Sequence, residues 1–138
     1  MGLINRTREI SLSQGLQKLT FLSTCTIKGL EVCSILLLWG NPLLLTLVLI
    51  ITSAVIIWSG KNRGKDICLY VAVFFIGSLT EAVAIFFGAW KYSLPNIIGI
   101  PIWLPFGWGS TGVSTERIYL EINRLDLPDR VKKLLLKS

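Results

Sequence analysis

The chain alternates between long apolar runs and short charged segments, and the apolar runs are too long for ordinary strands. Residues 43–58, LLLTLVLIITSAVIIW, carry no charge, and Asn41-Pro42 before them reads as an N-cap and first-turn pair. A basic turn, SGKNRGKD over 59–66, follows. The next run, Ile67 to Trp90, holds a single charged side chain, Glu81. At about 1.5 Å per helical residue this run can cross a hydrocarbon core of about 30 Å. A linker, Lys91 to Asn96, leads to a second uncharged run, Ile97 to Thr115, which passes into the polar STERIYLEINRL. Leu19 to Trp39 is mixed: VCSILLLW is apolar, yet Lys28 and Glu31 lie within the segment. As a span, it pairs the two at i,i+3; as an interfacial helix, it turns them toward water.

Loop charge favours four spans over three. With four, residues 1–18, the 59–66 turn and the C-terminal segment share one side. That side then gathers Arg6, Arg8, Lys18, Lys61, Arg63, Lys65 and the basic residues from Arg117 to Lys137, while the other keeps Lys91 and the Gly40-Asn41-Pro42 turn. Basic loops mark the cytoplasmic side. The expected fold is therefore an all-α, multi-span transmembrane helix bundle in the cell membrane, with both termini cytoplasmic. It divides into a cytoplasmic segment 1–18, a helical membrane domain 19–120 and a cytoplasmic tail 121–138. Trp39, Trp58 and Trp90 close apolar runs, as interfacial aromatics do. In the tail, Val131, Leu134 and Leu135 share a face beside Arg130, Lys132 and Lys133, the pattern of an amphipathic segment on an anionic leaflet.

Composition narrows the chemistry. The 138 residues are 52% hydrophobic with a net charge of +6, and mean hydropathy is +0.65. No basic stretch is interleaved with aromatics in the manner of a nucleic-acid site, so the bilayer is the expected partner, with a membrane protein or a second copy beside it. There is no histidine, which removes Ser-His-Asp and Cys-His nucleophile systems and HExxH zinc chemistry. Cys25, Cys33 and Cys68 are too scattered for a metal site or disulfide framework, and no metal or cofactor is expected. Residues 1–18 lack the apolar core of a cleavable signal, and Arg6 breaks the myristoylation pattern.

Glu81 is the leading candidate for chemistry. An acid at membrane depth is costly and usually faces protein or water. Gly77, Ser78, Ala84 and Gly88 fall on its helical stripe and would let a neighbouring helix approach, leaving Phe75, Leu79 and Phe86 for lipid. Glu81 is then a proton donor, cation ligand or substrate contact, or else a protonated or hydrogen-bonded structural acid locking two helices. Downstream, Gly99, Pro101, Trp103, Pro105, Gly107 and Gly109 alternate with large apolar residues. That block argues against a regular helix and for broken backbone lining a cavity, or a kinked span. Ser110, Thr111, Ser114 and Thr115 beyond it are candidate hydrogen-bond partners for Glu81. GWGSTG over 107–112 is a literal GxGxxG without a preceding strand, and GKNRGKD lacks the P-loop spacing and its Ser/Thr, so neither reads as a phosphate site.

Glu81, the turn Phe87-Gly88-Ala89-Trp90-Lys91-Tyr92, and Gly99-Ile100-Pro101 with Pro105 and Trp108 resemble a pattern in integral-membrane carotenoid-biosynthesis proteins of the bacterioruberin-hydratase and lycopene-cyclase-related group. The block is also similar to small bacterial or archaeal membrane proteins with GAWxY…GIPxWLP. The resemblance implies an isoprenoid-modifying enzyme in which Glu81 is the catalytic general acid. Trp90, Tyr92, Pro101, Pro105 and Trp108 would then line the substrate or pack the helices. The residues themselves put first a non-enzymatic membrane subunit or scaffold, because one acid without histidine or a metal cluster is thin equipment for catalysis. A small oligomeric transporter using Glu81 for proton or cation coupling is a third reading. A cavity beside Glu81 would discriminate among them.

Overall fold

The computed structural model describes residues 2–124, with side chains described at Leu19 and from 21 to 123. Four helices follow in order: α1, Gly2–Leu38; α2, Pro42–Ser59; α3, Arg63–Phe86; and α4, Leu104–Arg124. The only extended pairing among the described residues is an isolated bridge between Ile97 and Ile100. The amphipathic tail proposed for 125–138 lies outside the described residues.

Local chemistry sets the helix ends. Asn41 Oδ1 accepts from the Leu44 N–H at 3.3 Å, with Pro42 opening α2, and Asn62 Oδ1 does the same for Lys65 at the start of α3. The three-residue connections 39–41 and 60–62 fold α1 back on α2 and α2 back on α3. At the end of α3, Gly88 takes φ +79°, its N–H reaches Ile85 O, and the Ala89 N–H reaches Ala84 O at 3.0 Å. This is a Schellman motif. Gly88 therefore terminates α3 and does not extend the small-residue stripe through Gly77 and Glu81.

The last apolar run differs from its expected outline. Residues 97–103 form turns, with positive φ at Ile98 and Gly99, and a regular helix begins only at Leu104. Pro105 sits in the first turn of α4, where a missing N–H costs nothing, and Pro101 precedes it. The glycines that follow do not break α4, because α3 side chains fill the space a Cβ would take. A Cβ at Gly109 would lie 2.7 Å from the Tyr70 ring, and one at Gly112 would lie 2.6 Å from Val73. From the other side, a Cβ at Gly77 would meet Trp108 at 2.5 Å. These notches bring α3 and α4 into close contact, and α4 also packs on α1 and α2.

Three segments are long and apolar enough to cross a membrane: Phe21–Leu38, Pro42–Ser59 and Arg63–Phe86. Leu45, Leu49 and Ile56 of α2, Ile100 of the connection, and Leu104 and Val113 of α4 form the small apolar core. Large side chains such as Leu37, Phe75, Leu79 and Phe86 point outward. An apolar surface this broad is that of a protein in contact with lipid. α4 is divided: its first half is uncharged and buried or half-buried, whereas its second half carries Glu116, Arg117 and Glu121. Arg117 ties that polar half to the α2–α3 turn, with Nη2 at 2.6 Å from Asp66 Oδ2 and Nη1 at 3.0 Å from Ser59 Oγ. Lys65 pairs with Glu116 beside it.

Candidate functional site

The polar centre of the bundle is built on α1. Lys28 and Glu31, one turn apart, form an ion pair at 2.6 Å, and the Glu31 residue is only 1% exposed. Three helices satisfy it. Thr52 Oγ1 of α2 donates to Glu31 Oε1 at 2.8 Å, and Ser110 Oγ of α4 lies 2.7 and 2.8 Å from the two carboxylate oxygens. Lys28 Nζ also donates to Thr111 Oγ1 at 3.1 Å. Thr111 in turn donates to the Gly107 carbonyl, which leaves its lone pairs for the lysine. Burying a charge is tolerated when pairing and hydrogen bonds together replace water, and both are present here. The structure turns this pair into the bundle and not toward water, with Glu31 buried and Lys28 part-buried. Ser110 and Thr111, expected as partners of Glu81, serve this pair instead, because α4 presents them to α1.

Glu81 occupies the other side of the same space. It lies five residues before the end of α3, about 8 Å below the helix terminus along its axis. Its Oε2 accepts from Trp90 Nε1 at 3.1 Å and from Tyr92 Oη at 3.3 Å. Both donors come from the 87–103 connection that folds back over the helix end. Tyr92 stacks edge-on against Trp103, with ring centroids 6.5 Å apart. Burial, and then the neighbouring Glu81 charge that its hydroxyl bonds, raise the Tyr92 phenol above its ordinary value, so it stays a donor.

Between these two groups lies a cavity of about 290 Å³. Lys28, Glu31, Glu81 and Thr111 supply its polar edge, and Val32, Ile35, Leu49, Leu104, Trp103 and Trp108 its apolar walls, with Gly107 at its floor. That size is near the lower limit of small-molecule pockets, and the mixture of apolar walls with a few convergent polar groups is typical of them.

The other residues singled out in the sequence take varied places. Gly77 is buried against Trp108, while Ser78 and Ala84 are half-buried; the Ser78 hydroxyl bonds back to Phe74 O at 2.6 Å. Gly88 and Trp90 lie in the connection after α3. Pro101 is buried and Pro105 half-buried at the start of α4, away from any hydrogen bond to Glu81. Ser114 is buried on α4. Thr52, which completes the Glu31 shell, carried no distinguishing sequence signal, being a polar residue in an apolar run; Trp103, which lines the cavity, belongs to the Gly/Pro block read from the sequence as lining one. The GWGSTG segment is helical throughout, with Gly109 and Gly112 as packing notches and Ser110 and Thr111 as ligands of the ion pair. Comparison of the chain with protein-family models, curated proteins and solved structures returns no match.

Proposed function

We propose that this chain is a four-span integral membrane protein, and that it works as a non-enzymatic subunit holding a small amphipathic molecule in the cleft between Lys28–Glu31 and Glu81. Three spans are α1 from Phe21, α2 and α3. The fourth is the first half of α4, packed among them, with the 97–103 turns completing the crossing. The basic residues of the α2–α3 turn and Arg117 lie at one end of the bundle, which orients that end to the cytoplasm. The observation that carries the binding reading is the cavity: its lining holds a satisfied ion pair and an acid with one oxygen that no described group bonds, and the remainder is mostly apolar.

Acid catalysis on an isoprenoid alkene is supported less well. A general acid needs a proton to give and a relay to restore it. Glu81 is held as an acceptor by two donors, and among the described residues no second carboxylate or lysine bonds to it.

Gly107 provides the test. A Cβ there meets only Leu49, at 4.0 Å, so a larger side chain projects into the cavity without a backbone clash. In full-length protein labelled with 5-fluorotryptophan, 1-hexanol should shift the ¹⁹F resonances of Trp103 and Trp108 saturably, and Gly107→Leu should abolish the shift. A shift that never saturates, or one that persists in Gly107→Leu, would show that the cleft binds nothing.

A further inference from the structure

The acids of the cleft are not matched by cations. Lys28 is committed to Glu31, and Glu81 belongs to none of the ion pairs among the described residues, so the cavity holds one acid without a cationic partner. In low-dielectric surroundings a cation brought beside such an acid gains from it. The bonding of Glu81 is also one-sided. Trp90 and Tyr92 both donate to Oε2, and no described group bonds to Oε1. Two indole rings, Trp103 and Trp108, line the same cavity as Glu81, and Tyr92 links Glu81 to Trp103 through its hydroxyl and its ring.

Deepening the binding reading and resting on it, we propose that the cleft selects an organic cation, an alkylated ammonium on an apolar body, with its positive centre between Glu81 Oε1 and the Trp103 and Trp108 rings. Three alternatives fit less well. A primary ammonium carries three donors and would find, among the described residues, one carboxylate oxygen without a partner. A divalent metal needs six or more oxygen ligands, or a convergence of acidic, histidine and cysteine side chains, and the described residues hold no such group. An anion would find the cavity's one lysine already paired with Glu31. Alkyl groups on nitrogen remove the need for further acceptors and present a diffuse positive surface to aromatic faces, where a desolvated cation–π contact is strongest. Val32, Ile35 and Leu49 then cover the apolar body. With Glu81 about 8 Å below the end of α3, the cation can come from a free amphiphile or from the choline headgroup of a neighbouring lipid.

The test uses the full chain, 5-fluorotryptophan-labelled, in dodecyl maltoside micelles, which carry neither choline nor net charge. Hexyltrimethylammonium is titrated against its neutral isostere, 2,2-dimethyloctane, with the Trp108 resonance as readout. The cation should half-saturate at a concentration at least tenfold lower than the isostere. Glu81→Gln should raise the cation's value at least tenfold and leave that of the isostere within twofold. Equal half-saturation of the two ligands, or a Glu81→Gln effect common to both, overturns the cation inference. If Gly107→Leu still blocks both ligands in that event, the cleft reading survives; if neither ligand shifts the resonance in wild type, both readings fall. Should Glu81→Gln not fold, Trp103→Leu keeps the carboxylate and removes a ring. It should weaken the cation at least fivefold and the isostere less than twofold, and an unchanged cation value overturns the proposal. Repeating the titration in phosphatidylcholine nanodiscs separates the sources. A tenfold higher half-saturation identifies the lipid headgroup as the occupant, and an unchanged one identifies a free amphiphile.

Discussion

Replacing Glu31 by leucine should be the most damaging single change in the bundle. The substitution removes the acceptor of Lys28, Thr52 and Ser110 together. Thr52 can fall back on Leu49 O, 3.1 Å away, and Lys28 keeps Thr111 at 3.1 Å, so not every bond is forfeited. What cannot be replaced is the counter-charge of an ammonium whose side chain is only 24% exposed. Breaking a buried pair from one side costs about 3–5 kcal/mol. The fallback bonds place Glu31→Leu near the lower bound, about 3 kcal/mol. Replacing both partners, Lys28→Met with Glu31→Leu, leaves no orphaned charge and should cost about 1 kcal/mol or less. The two singles and the double therefore should not add, and the coupling should be at least about 2 kcal/mol. Reversible unfolding in bicelles by added dodecyl sulfate, followed by far-ultraviolet circular dichroism, measures all three. A Glu31→Leu cost below about 1 kcal/mol, or additivity within about 0.5 kcal/mol, would show that the pair is not held in the core.

The glycines separate by what surrounds them. Gly109→Ala pushes a methyl into Tyr70 and should destabilise by about 1–3 kcal/mol, whereas Gly29→Ala, with nothing within 4 Å, should be neutral or stabilise by up to about 1 kcal/mol in the same unfolding assay. The Tyr92 phenol is raised by burial and by Glu81, so Glu81→Gln should lower its titration midpoint, read at 295 nm in a Tyr70→Phe/Tyr119→Phe background. Because its folded pKa lies above the unfolded one, Tyr92 contributes stability in full below about pH 10 and loses it as pH climbs through the raised value. A midpoint unmoved by Glu81→Gln would separate the two groups.

Much of the helical outline follows from patterns a single chain displays. Asn41-Pro42 and the uncharged run behind it contain their own N-cap and apolar surface, and α2 begins where they place it. Glu81 was legible for the same reason: a lone charge in an apolar run must meet something polar. Its partners were not. Trp90 and Tyr92 bend back onto it because a Schellman turn at Gly88 reverses the chain, and that turn looks in sequence like one more small residue on a helical stripe.

The Lys28–Glu31 pair shows the limit more sharply. Spacing alone allows the pair to face water or to be buried, and the two outcomes differ by who else arrives. Burial requires Thr52 and Ser110 to reach the carboxylate and Thr111 to reach the ammonium, from helices about twenty and eighty residues away. Their arrival depends on α4 lying close to α3, which depends in turn on Gly109 and Gly112 receiving Tyr70 and Val73. No local window contains that chain of dependence. The same notches also set Trp108 against Gly77 and so bring it to the cavity that Glu81 lines. The packing that buries the Lys28–Glu31 pair is thus the packing that leaves Glu81 without a cationic partner among the described residues.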